Sequence, residues 1–132
     1  MGDYSVANRD DAVDWMADFP GFGEMRWYSD ACGTEQISFS WRTMPPETGG
    51  RGSYGHRHPG QEEIYFVIAG RVTFKVDDDV FEAGPQTGVR IGGDAFRSVH
   101  NDTDEDAELL LFSTRDPNAT TERTGEDFWP EA

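Results

Sequence analysis

One stretch, residues 55–70, decides the fold of this chain. It reads Gly55-His56-Arg57-His58-Pro59-Gly60-Gln61-Glu62-Glu63-Ile64-Tyr65-Phe66-Val67-Ile68-Ala69-Gly70. Its second half, residues 63–69, consists mostly of β-branched and aromatic residues and ends at a glycine turn, which predicts a β-strand. Its first half places two of the three histidines of the chain two residues apart.

Strand signals continue on both sides of this stretch. Ile37, Phe39 and Trp41 alternate with polar residues, a period of two that is typical of a β-strand. After Gly70, the alternation of Val72, Phe74 and Val76 predicts the next strand, which ends at an Asp-rich turn. The remaining predicted strands are 80–82, 89–91, 97–100 and 108–113. Short strands at this spacing, without a βαβ rhythm, predict an all-β sandwich or barrel.

Length and composition exclude several classes of protein. A chain of 132 residues has the size of one domain, and no apolar run is long enough for a transmembrane helix. A single cysteine, Cys32, excludes an internal disulfide framework. The net charge of −15, from 26 acids and 11 bases, predicts repulsion by nucleic acid and by anionic lipid. The first residues lack the features of a signal peptide, so we expect a cytoplasmic protein.

The two histidines and one glutamate form a candidate metal site. His56 and His58 point to the same side of an extended strand, and Glu63 opens the next strand after a short Pro-Gly turn. Two neutral imidazoles and a carboxylate suit a divalent metal such as Fe, Mn, Ni, Cu or Zn. Three protein ligands leave open positions for a substrate, as catalysis requires.

The stretch resembles the first motif of the cupin superfamily. His56-x-His58, four residues, Glu63, six residues and Gly70 match the ligand part of that motif, and its leading glycine is best matched by Gly50. The resemblance covers roughly residues 35–114. It implies a small single-domain cupin, a jelly-roll β-barrel of residues 35–114 with an N-terminal extension, residues 1–34, packed on it.

The two ends of the chain carry weaker signals. The N-terminal extension contains a short helical pattern, with Asp10 or Asp11 as its cap, apolar residues over 12–19 and Pro20 as its stop. The C-terminal tail, residues 115–132, is polar until Phe128 and Trp129. We expect this aromatic pair to dock on the barrel, because exposed it would form a sticky patch.

The second cupin motif is matched only in part, over residues 89–101. Asn101 matches, but Arg97 stands where the resemblance implies a fourth ligand, a histidine. Arg97 has three possible roles: it swings away from a three-ligand site, binds an anionic substrate group, or pairs with Glu63 in a metal-free pocket. His100, on the opposite side of a regular strand from Arg97, or Gln61 could substitute as a ligand if the backbone is distorted.

The strand that begins at Glu63 has two different faces. Tyr65 and Val67 share the face of Glu63 and are predicted to line the barrel interior. The other face is apolar, with Ile64, Phe66 and Ile68, and needs a cover, such as another subunit. Cupins commonly form dimers, so the resemblance implies a homodimer. Phe39, Trp41 and Phe112 are predicted to belong to the core.

Two functional hypotheses follow. The first is a cupin that binds a divalent metal through His56, His58 and Glu63 and a small polar or anionic molecule in the barrel. As an enzyme it would be a dioxygenase, isomerase or decarboxylase, with Arg97 anchoring the substrate and Tyr65 donating a proton. The second hypothesis is a non-enzymatic binding module with a metal-free pocket, in which Arg97 replaces the fourth ligand. A structural protein with a vestigial site is a third possibility.

Overall fold

The computed structural model describes residues 3–131. A 3-10 turn spans Arg9–Asp11, and one short helix, α1, spans Tyr28–Cys32. The strands in this part of the chain are β1 (Val13–Asp14), β2 (Met25–Trp27), β3 (Ile37–Met44), β4 (Thr48–Gly49), β5 (His56–Arg57), β6 (Glu63–Ala69), β7 (Val72–Val76), β8 (Asp79–Ala83), β9 (Thr87–Ile91), β10 (Arg97–Asn101), β11 (Ala107–Thr114) and β12 (Glu122–Arg123). The long strands predicted from the alternation of residue types are all present.

The strands form two antiparallel sheets. The first has the order β1-β2-β3-β11-β6-β9, and the second has the order β12-β5-β10-β7-β8, with β4 paired to β10. The crossovers between sequence-distant strands give the jelly-roll arrangement of a small barrel, which confirms the predicted all-β fold class. No helix within residues 3–131 is long and apolar enough to span a membrane.

An apolar core joins the two sheets. Its buried members come from strands of both sheets and are Met44, Tyr65, Val67, Val72, Phe74, Ala83, Val89, Ile91, Ala107 and Leu109. Tyr65 and Val67 are buried, whereas Ile64 and Ile68 on the alternate face are exposed. The predicted inward and outward faces of β6 are therefore confirmed, and Glu63 lies on the inward face.

Gly70 is required by the turn between β6 and β7. Its φ is 77°, in the left-handed region that disfavours residues with a side chain. A Cβ atom at this position would also lie 2.5 Å from the carbonyl oxygen of Asp106. Both constraints explain a glycine at this point of the motif.

The N-terminal segment differs from the helix predicted over residues 12–19. Helical structure there is limited to the 3-10 turn, which Asn8 caps, and to α1. Val13–Asp14 instead pairs with Met25–Trp27, which adds two strands to the edge of the first sheet. The Asp14 carboxylate accepts hydrogen bonds from the backbone of Met16 and Met25, so it stabilises a turn in place of a helix.

The prediction that Phe39, Trp41 and Phe112 belong to the core is wrong. All three are half-buried on the outer face of the first sheet, where Tyr28 stacks on Phe39 with ring centroids 5.4 Å apart. The Trp41 indole donates to a Glu108 carboxylate oxygen at 2.8 Å. Alternation alone does not say which face is inside, and here the face with Ser38, Ser40, Arg42 and Met44 lines the interior.

Asn101, at the end of β10, joins three segments of the chain. Its side chain is fully buried, and its amide nitrogen donates to the carbonyl oxygens of Met44 (2.9 Å) and Glu105 (2.7 Å). Its amide oxygen accepts from the backbone nitrogen of Thr103 at 2.9 Å. This single side chain therefore connects the end of β3, β10 and the loop that leads into β11.

We expect Asn101→Ala to lower the free energy of unfolding by roughly 1–3 kcal/mol, because it leaves buried backbone groups without partners. Urea denaturation of the purified protein measures this change. Asn118→Ala, at an exposed site, serves as the matched control and should change stability by less than about 0.5 kcal/mol. Equal stability of the two variants would show that the Asn101 contacts do not stabilise the fold.

Candidate metal centre

The two-residue strand β5 positions the first histidine. The residues of β5 are hydrogen-bonded on both sides: β10 pairs Arg97 with His56, and β12 pairs Arg123 with His56 and Glu122 with Arg57. Arg57 adds a salt bridge to Glu122, with its Nε 2.7 Å from a carboxylate oxygen. His56 is therefore held in the middle of a three-stranded segment.

His56, His58 and Glu63 come together as their spacing predicts. One ligand atom from each lies within 4.8 Å of the other two, and the two imidazole rings have centroids 4.9 Å apart. Gly93 makes the turn between His58 and Glu63 possible, since a Cβ there would lie 2.5 Å from the carbonyl oxygen of His58. The turn itself is closed by a hydrogen bond from Gln61 N to His58 O at 2.9 Å.

The chemical state of these three side chains suits a divalent cation. Burial above all, and then the proximity of the His58 imidazole and the positive charges of Arg97 and Arg123, lower the pKa of His56 to about 4. His56 is therefore uncharged at neutral pH and has a lone pair to offer. Glu63 is nearly buried, and its Oε1 has no hydrogen-bond partner among the described residues. A buried carboxylate oxygen without a partner is expected where a cation binds, so the three residues fit a metal.

The three candidate ligands form part of the wall of a large cavity. The cavity has a volume of about 1000 Å³ and is also lined by the inward-facing residues of β3, by residues of the N-terminal segment and by the segment after β11. Trp15 and Trp27, stacked with centroids 4.8 Å apart, belong to its wall. A small molecule in this cavity would have direct access to the candidate ligands.

Tyr65 lies on the cavity wall two residues beyond Glu63. Burial, and then the neighbouring Glu63 carboxylate, raise the pKa of Tyr65 well above its usual value. The phenol therefore keeps its proton at neutral pH and can donate a hydrogen bond, but it is a poor acid and not a base.

Arg97 is fully buried behind the cavity. Its Nη2 donates to the carbonyl oxygen of Gly92 at 3.1 Å, whereas Nε and Nη1 have no partner among the described residues. Within residues 3–131, Arg97 and Glu63 form no ion pair at 4 Å or less. Arg97 also does not belong to the residues that line the cavity. Its charge therefore acts on the site from behind.

The two substitute ligands considered from the sequence lie elsewhere or are otherwise engaged. His100 accepts a hydrogen bond from the backbone of Arg51 at 3.2 Å and groups with Glu47 and Asp102, away from His56 and His58. Arg51 also donates two hydrogen bonds to Asp102. The amide nitrogen of Gln61 donates to the carbonyl oxygen of Thr114 at 2.7 Å.

The C-terminal segment contributes residues that the sequence did not reveal. Thr121 Oγ1 lies 3.1 Å from Nδ1 of His58, and both Thr121 and Arg123 line the cavity. Trp129 is buried, as predicted for the docked tail, with its ring 6.1 Å from that of His100. No local pattern links Thr121 to His58, which is 63 residues away; only the pairing of β12 with β5 brings them together.

Comparison with solved structures supports the same fold. A protein from Silicibacter pomeroyi, described as a sugar phosphate isomerase from a cupin superfamily, shares 20% identity over 96% of both chains with a TM-score of 0.73. A cupin protein from Bacteroides fragilis shares 19% identity over 89% of both chains with a TM-score of 0.69. A proposed sugar phosphate isomerase from Acidithiobacillus ferrooxidans shares 20% identity over 76% of this chain and 65% of its own, with a TM-score of 0.64. At these identities the likeness shows the fold alone.

Family membership rests on the sequence itself. No curated protein matches the chain significantly. The family model described as the Cupin domain matches residues 41–113, which is more than half of the chain and includes all three candidate ligands. The chain therefore belongs to the cupin family.

Proposed function

We propose that this chain is a metal-dependent cupin enzyme that isomerises a small anionic, hydroxylated molecule. The observation that carries the proposal is the meeting of His56, His58 and Glu63 on the wall of a cavity of about 1000 Å³. This arrangement offers three ligands to a divalent metal and leaves the remaining positions open toward the cavity.

The charges around the cavity favour an anionic substrate. The chain carries 26 acids and 11 bases, yet Arg42, Arg115 and Arg123 line the cavity against Glu35, Glu63 and Asp116. Arg42 is largely desolvated, which lowers its pKa, and it forms no ion pair within residues 3–131. The cavity wall therefore carries as many basic as acidic side chains, whereas the whole chain has a net charge of −15, so a carboxylate or phosphate group is repelled less here than by the chain as a whole.

Hydroxyl groups on the cavity wall favour a polyol or sugar skeleton. They come from Ser38, Ser40, Ser53, Ser98, Ser113 and Thr121. Each can donate and accept a hydrogen bond, which matches the hydroxyl groups of a sugar. The solved relative from Silicibacter pomeroyi that is described as a sugar phosphate isomerase motivates the choice of isomerisation among the metal-assisted reactions.

The residues of the site have distinct tasks in this proposal. A bound divalent metal would polarise a carbonyl or hydroxyl oxygen of the substrate as a Lewis acid. His56, His58 and Glu63 would hold it, while Tyr65, which keeps its proton, would donate a hydrogen bond to a substrate oxygen. The arginines on the cavity wall orient the anionic group. Isomerisation rearranges bonds within one molecule and requires no second substrate.

A second candidate function is a metal-free pocket for an anion. The supporting observation is Arg97, whose side chain is wholly buried with Nε and Nη1 unpartnered among the described residues. A buried guanidinium repels a nearby cation and attracts an anion. In this case the protein would be a binding module, and the three candidate ligands would not hold a metal.

We expect His56→Ala to reduce bound metal from near one equivalent per chain to below about 0.2, because two protein ligands hold a first-row metal poorly. Elemental analysis of tag-free protein purified without chelator measures this content. His100→Asn, which keeps a hydrogen-bond acceptor for the backbone of Arg51, is the matched control and should retain the metal. Wild-type protein that takes up no metal on reconstitution would favour the metal-free pocket.

We expect Arg97→His to tighten metal binding by about tenfold or more. The substitution removes a repelling charge and adds an imidazole as a metal ligand at the position paired with His56. Titration with Mn(II) or Co(II) measures the dissociation constant. Arg97→Met removes the charge without adding a donor, so it separates the two effects and should tighten binding less. Unchanged affinity in both variants would contradict the assigned role of Arg97.

We also propose that the protein forms a homodimer through the outer face of β6. Ile64 and Ile68 are 41% and 37% exposed, and the half-buried Phe66, Leu110 and Phe112 extend the same face. The N-terminal segment covers the neighbouring Phe39 and Trp41 but leaves these isoleucines open. A second copy of the chain would bury this apolar face. Two copies that met through other parts of their acidic surfaces would bring like negative charges together.

We expect Ile64→Glu to shift the protein from dimer to monomer, because the carboxylate would be desolvated at the interface. Light scattering coupled to size-exclusion chromatography reports the mass. Val80→Glu, an exposed apolar residue of the other sheet, is the control and should remain dimeric. A monomeric wild-type protein would refute this assembly.

A further inference from the structure

The C-terminal segment reaches the candidate ligand His58 directly. Thr121 Oγ1 lies 3.1 Å from Nδ1 of His58, a distance that corresponds to a hydrogen bond. This contact engages one of the two ring nitrogens and leaves Nε2 as the nitrogen that can face a metal. A neutral imidazole ligates through one nitrogen when its other nitrogen carries the proton.

The geometry points to Thr121 as the positioning residue of the metal centre: we infer that its hydroxyl oxygen accepts a hydrogen bond from Nδ1–H of His58, which leaves the Nε2 lone pair free for the cation. Histidine ligands of metals are generally fixed in this way by a second group that accepts their other N–H. The inference rests on the proposed function, and it assigns to the C-terminal tail a part of the site that the two cupin motifs do not contain.

Several contacts of the neighbouring residues hold Thr121 in place. The next two residues form β12, whose pairing with β5 lies beside His56. Thr124 exchanges two hydrogen bonds with Gly55, each of 2.9 Å, from Thr124 N to the carbonyl oxygen and from Gly55 N to Thr124 Oγ1. Phe128 packs against Gly55 so closely that a Cβ there would lie 2.6 Å from its ring.

The end of the tail is anchored by a buried tryptophan. Trp129 is 3% exposed, and the guanidinium carbon of Arg51 lies 4.8 Å from its ring centroid. Its carbonyl oxygen accepts from Gly52 N at 2.5 Å and its nitrogen donates to Ser53 O at 3.3 Å. Residues 121–129 are therefore attached to residues 52–58 along their length, so the tail and the ligand strand form one unit.

The test compares Thr121→Val, which keeps the shape and removes the acceptor, with Thr121→Ser, which restores the hydroxyl. Long-range ¹H–¹⁵N correlation spectra of the metal-free protein report which nitrogen of His58 carries the proton. Titration with Co(II), followed by its visible absorption, reports affinity and ligand environment. Thr120→Val is the matched control, at an exposed neighbour.

We expect Nδ1 of His58 to carry the proton in the wild-type protein and in Thr121→Ser. In Thr121→Val, we expect the population with the proton on Nε2 to increase. Co(II) affinity should fall about 10- to 100-fold in Thr121→Val and recover in Thr121→Ser. A Thr121→Val protein with the wild-type tautomer and the wild-type Co(II) affinity would overturn the inference. If no variant and no wild-type protein binds Co(II), the proposed metal function fails, while the tautomer of His58 still decides whether Thr121 orients it.

Discussion

The candidate site depends on hydrogen bonds to both edges of a two-residue strand. β5 is too short to be stable alone, and a strand of this length gains its order from its neighbours. β10 pairs with one edge and β12 with the other, so segments from the middle and the end of the chain fix the backbone of His56. β6, in the opposite sheet, supplies Glu63, and the apolar core between the sheets sets the separation of the carboxylate from the imidazoles.

The distribution of charge gives this small barrel its chemical character. Acids outnumber bases by 26 to 11, and most acidic side chains of the described residues are exposed, while Arg42, Arg115 and Arg123 line the cavity. Arg97 is the extreme case, since its buried guanidinium has a backbone carbonyl as its polar contact within the described chain. A charge in such a place acts over a longer range than one in water, because the surrounding protein screens it weakly. The charge of Arg97 therefore acts on any ligand that binds in the cavity.

The local sequence pattern was sufficient to predict the orientation of side chains in β6. Successive side chains of a strand point to opposite faces, so Tyr65 and Val67 share the inward face of Glu63 and Ile64 points outward, as the structure shows. The same reasoning failed for β3, whose apolar face is the outer one and is covered by α1 and the 3-10 turn. It also overestimated the helix after Asp10, where pairing with β2 provided backbone hydrogen bonds that a short isolated helix could not match.

The sequence by itself determined the longer strands of the barrel, the turn at Gly70 and the set of candidate ligands His56, His58 and Glu63, because all three features depend on residue types at short, regular spacing. The tertiary structure alone decided which face of β3 lines the cavity, how deeply Arg97 is buried and which residue contacts His58. Those features depend on strand pairing between residues far apart in the chain. Thr121 and His58 meet across 63 residues, and no period within either segment carries that information.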